Sequence, residues 1–119
     1  MNKQASGRKV YSGKIPIAAI SELDGELTGL ANGTANLTFH IRDGKLARYT
    51  TRGEGSYTEG GCSGKTPVLA VIDFEKRLAR PPGLAHGTAT LTLYVKDGHL
   101  ARYTTGRERS HIPEGGNGK

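Results

Sequence analysis

The sequence predicts an α+β fold: a tandem helix–β-hairpin repeat whose hairpins form a four-stranded antiparallel sheet with the helices on one face, a pseudo-dimer within one chain. Three observations carry this. The string GLANGTANLTFHIRDGKLARYTT at Gly29–Thr51 returns as GLAHGTATLTLYVKDGHLARYTT at Gly83–Thr105, 54 positions on, with 16 of 23 aligned positions identical. Each copy centres on Asp-Gly flanked by alternating apolar residues, the strongest short-range signal for a type I′ hairpin. Apolar residues at helical spacing precede each copy.

Residues 1–14 form a basic arm, with Lys3, Arg8, Lys9 and Lys14 and no acid. It has no apolar core of the kind a signal peptide needs, and no run in the chain is long enough to span a membrane. Two readings stand for it, a solvated tail or an arm that adds phosphate contacts beside a folded reader.

Unit 1 covers residues 15–52. Pro16 suits a first helical turn, and Ile17, Ile20, Leu23 and Leu27 then follow helical spacing. Gly25 weakens this helix by about 1 kcal/mol relative to alanine. The Asp43-Gly44 turn pairs Arg42 with Lys45, Ile41 with Leu46, Phe39 with Arg48 and Leu37 with Thr50. Alternation then collects Ala35, Leu37, Phe39, Ile41 and Leu46 on a buried face. The opposite face carries Asn36, Thr38, His40, Arg42, Lys45, Ala47, Tyr49 and Thr51.

Residues 53–65, GEGSYTEGGCSGK, read as a glycine-rich linker holding the chain's single cysteine, Cys62. Unit 2 covers 66–109. Thr66 is a candidate N-cap ahead of Pro67, and Val68, Val71, Phe74 and Leu78 repeat the helical spacing at an offset of 51. A short strand competes for both helical segments, since Val68–Ile72 is β-friendly. The offset change from 51 to 54 marks an insertion, Arg80-Pro81-Pro82, whose prolines stop the helix. The second hairpin buries Ala89, Leu91, Leu93, Val95 and Leu100. It exposes Thr90, Thr92, Tyr94, Lys96, His99, Ala101, Tyr103 and Thr105. Residues 110–119 form a polar tail after Arg107-Glu108-Arg109. Each unit alone is too short to bury a self-sufficient core, so the two are expected to pack together.

Catalytic constellations do not emerge. His40, His86, His99 and His111 show no ligand spacing, and one cysteine makes neither a disulfide nor a metal site. Asp43 and Asp97 are accounted for by their turns. No glycine-rich loop joins a strand to a helix in the phosphate-cradling pattern. The expectation is a non-enzymatic, cytoplasmic protein without a cofactor.

Charge is the remaining lead: 17 Lys and Arg against 11 Asp and Glu give a formal +6. The outer face of each hairpin interleaves rings and cations with small hydroxyls, groups that stack on bases, neutralise phosphate and bond base edges. Threonine and tyrosine also serve as ordinary strand formers on a solvated face. The candidate nucleic-acid contacts are His40, Arg42, Lys45, Tyr49, Tyr94, Lys96, His99 and Tyr103. To them are added Lys3, Arg8 and Lys9 of the arm and Arg107 and Arg109 near the end. Arg48 and Arg102 fall by parity on the apolar face, either as rim residues with packed stems or as contacts to the other unit or a partner. The leading expectation is a small nucleic-acid-binding regulator, DNA or RNA. The alternative is an inhibitor or adaptor that pairs with a protein, or with itself, through an exposed hairpin edge.

The repeated run Gly-Thr-Ala-x-Leu-Thr-x-x-Val/Ile-x-Asp-Gly-x-Leu-Ala-x-Tyr-x-Thr resembles a family of very short bacterial proteins of the YezD type. Those pair a helix with a hairpin that has a Gly-Ser/Thr start, a central Asp-Gly and a charged end. The likeness covers Gly33–Arg52 and Gly87–Arg109, roughly a third to two-fifths of the chain. It implies a small bacterial or phage cytoplasmic protein built on a helix–hairpin unit, and no activity carries over with it. This chain departs from the pattern in its duplication, its basic arm and the lack of a long polar helix before the hairpin.

Overall fold

In the computed structural model, which describes residues 10–80 and 83–109 (Arg109 by its backbone), both Asp-Gly pairs form the expected turns. Asp43 and Gly44 have φ of 54° and 73°, and Asp97 and Gly98 have 52° and 77°, the double positive φ that a type I′ turn requires. Around them the elements run α1 (Ile17–Leu27), β1 (Leu30–Arg42), β2 (Lys45–Tyr57), α2 (Val68–Ala79), β3 (Gly87–Lys96) and β4 (His99–Arg109). One antiparallel sheet has the order β2-β1-β3-β4, and both helices lie on its apolar face. The fold is a tandem helix–hairpin pseudo-dimer. Lys3, Arg8, Lys9 and the 110–119 tail lie outside the described residues.

The central β1–β3 pairing records the duplication. Leu37 and Leu91, equivalent at the 54-residue offset, are paired with each other, so the pseudo-two-fold axis passes between them. Beside the axis, Thr38 and Thr90 hydroxyls are 3.2 Å apart on the open face. Beneath it Leu37, Phe39, Leu91 and Leu93 are fully buried. Phe39 binds the two halves together, its ring centroid 5.4 Å from Phe74 of α2 and 6.3 Å from Tyr11.

Helix packing differs from the expected stripe. The buried positions are Ala19, Leu23 and Leu27 in α1 and Ala70, Phe74 and Leu78 in α2. Ile17 and Val68 are 86% and 71% exposed. A buried alanine near each N-terminus lets the helix approach the sheet closely, which rotates the preceding β-branched residue outward. Pro16 and Pro67 are themselves the N-caps, without a side-chain cap. Thr66, expected as a cap, instead donates its N–H and hydroxyl to Asp24 at 2.8 and 2.5 Å. Arg80 leaves the helix at φ −62°, ψ 128°, as a residue before proline should.

Residues 10–14 of the expected arm and the expected linker pack into the fold. β2 continues to Tyr57, into the glycine-rich stretch. Tyr11 and Ile15 enter the core. Tyr11-Ser12-Gly13-Lys14-x-Pro16 and Cys62-Ser63-Gly64-Lys65-x-Pro67 are a further repeat at offset 51. Each of these leaders crosses to the other unit. The Tyr11 N–H donates to Leu84 O at 2.9 Å, and the Cys62 N–H donates to Leu30 O at 2.8 Å. Gly13 and Gly64, at φ 94° and 91°, press against the helix of the other unit, Gly13 on Ala79 and Gly64 on Thr28. The hairpin tips are exchanged likewise, Gly44 N–H to Ala85 O at 3.0 Å and Gly98 N–H to Ala31 O at 2.8 Å. The two units are interlocked rather than merely adjacent.

Candidate nucleic-acid interface

The register keeps two expected pairs, Arg42 with Lys45 and Ile41 with Leu46, and then departs. His40 faces Arg48 and Phe39 faces Tyr49, which leaves Ala47 unpaired as a β-bulge. The second hairpin does the same at Ala101: Val95 faces Leu100 and Tyr94 faces Arg102. One extra residue reverses every side chain beyond it. Tyr49, Thr51, Tyr103 and Thr105 therefore turn to the helix side, and Arg48, Thr50, Arg102 and Thr104 turn to the open side.

This corrects the expected positions of Tyr49 and Tyr103. Their hydroxyls donate to helix carboxylates, Tyr49 to Glu22 at 3.0 Å and Tyr103 to Asp73 at 2.5 Å, pinning each helix to its own hairpin. Phe39 packs on the Tyr49 ring at 6.1 Å. Arg107 also reaches the helix layer, where its Nη1 donates to Arg77 O at 3.1 Å. There a cation meets the negative end of the α2 dipole. Arg109 faces Gly87 at the end of β4.

The hydrogen bonds to Glu22 and Asp73, then burial and the carboxylate charges, raise the phenol pKa values of Tyr49 and Tyr103. A raised phenol pKa means the folded state holds that proton more tightly than the unfolded chain. The resulting stability is complete below the ordinary phenol value of about 10 and is lost as pH rises through the raised one. As pH rises from about 10, thermal melts should therefore fall less steeply for Tyr49→Phe/Tyr103→Phe than for the parent chain. Equal slopes would show that the two pins do not titrate with folding.

The open face holds most of the remaining candidate contacts. Register places Thr34, Asn36, Thr38 and His40 of β1 and Thr88, Thr90, Thr92 and Tyr94 of β3 at its centre, half-buried. Arg48 and Arg52 line one edge, Arg102 the other, with Arg42, Lys45, Lys96 and His99 at the hairpin tips. Glu54 pairs with Arg52 at 2.9 Å, and Glu108 stands opposite Thr88. The helix carboxylates Glu22, Asp24, Asp73 and Glu75 lie in the other layer. The helix layer also carries the cations Lys76, Arg77 and Arg107, and Asp43 and Asp97 sit at the hairpin tips, so both layers hold charges of both signs. Of the expected contacts, His40, Arg42, Lys45, Tyr94, Lys96 and His99 share this face, and Arg48 and Arg102 join it. Their signal was present in the sequence: an arginine set opposite a core apolar residue in both copies is a conflict that a bulge resolves.

The two ends of the face differ. In repeat 2 the Arg102 guanidinium lies 3.9 Å from the Tyr94 ring centroid, a cation–π stack. In repeat 1 histidine replaces that tyrosine, and His40, Arg42, Asp43, Arg48, His86 and Thr88 line a cleft of about 670 Å³. Burial, and then the charge of Arg48, hold His40 below the ordinary imidazole value. Among the described residues there is no metal-binding group of three or more His, Cys, Asp or Glu, and no helix long and apolar enough to cross a membrane. No protein-family model, curated protein or solved structure matches this chain.

Proposed function

We propose that this chain is a non-enzymatic nucleic-acid-binding protein, a small regulator that lays the open face of its sheet on the phosphate backbone. The observation that supports it is that cations of both repeats, Arg42 and Arg48 with their equivalents Lys96 and Arg102, share the sheet face opposite the helices. With Tyr49 and Tyr103 turned away, base stacking has little platform there, so phosphate neutralisation leads and base contacts are secondary. The pseudo-two-fold presents equivalent cations twice, a match for two half-sites on one duplex.

Fluorescence anisotropy with labelled duplex DNA, single-stranded DNA and RNA across a salt series tests this. One ligand should give a log–log slope of several charges, at about 0.9 per phosphate neutralised on duplex DNA. Arg42→Ala/Lys45→Ala/Lys96→Ala should weaken binding to all sequences alike and flatten that slope by about 1 for each cation removed. Flat curves for all three ligands at low salt would sink the reading. The second reading, a protein adaptor, is favoured by one feature: β2 and β4 are the sheet edges, and β2 runs for 13 residues. A protein partner retained on the immobilised chain in high salt, where nucleic acid is released, would move the assignment there.

A further inference from the structure

The duplication supplies an internal comparison. At equivalent positions, repeat 2 holds Tyr94 under Arg102, with the Asn32 side chain accepting the Asp97 N–H at 3.0 Å. Repeat 1 holds His40 facing Arg48, with His86 in place of Asn32 and its Nε2 3.6 Å from Asp43. Repeat 2 is therefore self-satisfied: its arginine is stacked and its hairpin tip is bonded. Repeat 1 exchanges both neutral partners for imidazoles and opens the cleft between them.

Resting on the nucleic-acid reading above, we propose that this cleft is a phosphate subsite that only repeat 1 possesses. Arg48 and Arg42 would hold a tetrahedral phosphate oxyanion, with His40 and His86 as its remaining donors. The chemistry suits that ligand. A guanidinium offers a planar fork of donors to phosphate oxygens, and an imidazolium adds one charged N–H. Thr88 supplies a hydroxyl on the cleft wall. The charged groups that face the imidazoles are Arg42 of β1, Asp43 of the turn, Arg48 of β2 and Glu108, which stands opposite Thr88 on β4. Arg48 disfavours a proton on His40 while the cleft is empty. An anion seated between them replaces that repulsion with two attractions, so phosphate binding should draw a proton onto the imidazole.

The test is an NMR titration of the full chain with inorganic phosphate, read at the histidine ring carbons. His40 and His86 should shift together and His40 should titrate at higher pH, while His99, at the other hairpin tip, stays still. Two reciprocal exchanges sharpen it. His40→Tyr should place a ring beneath Arg48, as in repeat 2, and weaken phosphate at least about tenfold. Tyr94→His should release Arg102 and add a second equivalent of phosphate. Arg48→Gln, an exposed change, gives the same loss as His40→Tyr and stands in for it if that variant does not fold.

Phosphate shifts that survive Arg48→Gln, or shifts absent from both imidazoles, overturn the proposal. Duplex DNA then separates the sources of phosphate. Duplex binding without imidazole shifts from either ligand removes the subsite and leaves the wider reading intact. Imidazole shifts with free phosphate but no binding of duplex DNA, single-stranded DNA or RNA keep the subsite and remove nucleic acid as its source.

Discussion

Phe39→Ala is expected to remove about 3–5 kcal/mol of folding free energy, a large share of the roughly 5–15 kcal/mol that a domain of this kind has. Phe39 is fully buried in β1, a strand bonded on both sides. Its ring meets Tyr11 of the leader, Tyr49 of β2 and Phe74 of α2, three elements from both halves of the pseudo-dimer. A strand fixed by two neighbours cannot move to fill the space a ring leaves, so the cavity persists and the cost lies near the top of its range. Urea unfolding should show the midpoint fall with its slope unchanged, since one cooperative unit is lost. A loss below about 1 kcal/mol would mean that α2 does not pack across the axis on the first hairpin.

The same residue shows where the open face gets its rigidity. His40 follows Phe39 in β1 and points the other way, so the core under the first hairpin holds the cleft above it. Weakened packing below should blur the proposed phosphate subsite above before the chain unfolds.

How much of this was legible follows from where each signal resides. The hairpins, their turns and the sheet were readable because Asp-Gly chemistry and strict alternation are local, and because every feature was written twice. The leaders were not. Ser12-Gly13-Lys14 and Ser63-Gly64-Lys65 carry no periodicity, and their role depends on crossing to the other unit. Composition alone made them look like an arm and a linker. Ile17 and Val68 were misplaced because helical spacing fits two overlapping stripes, and a buried alanine decided between them. Tyr49 and Tyr103 were misplaced because alanine suits either face of a strand. The alternation runs through Ala47 and Ala101 without visible interruption, and only the geometry shows that one residue in each hairpin is unpaired.

That unpaired alanine carries the second expected result. With Ala47 removed, Leu46 still faces Ile41, Arg48 still faces His40 and Tyr49 still faces Phe39, so the ladder closes without a bulge and both faces survive. The deletion takes away only the local kink and added twist of the bulge. It should therefore fold, keep the Tyr49–Glu22 hydrogen bond and keep whatever affinity for nucleic acid the parent chain shows. Deleting Ala101 should likewise leave Tyr94 facing Arg102. Circular-dichroism melts of the two deletions beside Ala47→Gly decide it. Melts within a few degrees of the parent mean that pairing register alone partitions the cations from the tyrosines. A collapse of either deletion, with Ala47→Gly intact, means that the twist the bulge adds to the hairpin is itself required for the strands to seat on the core.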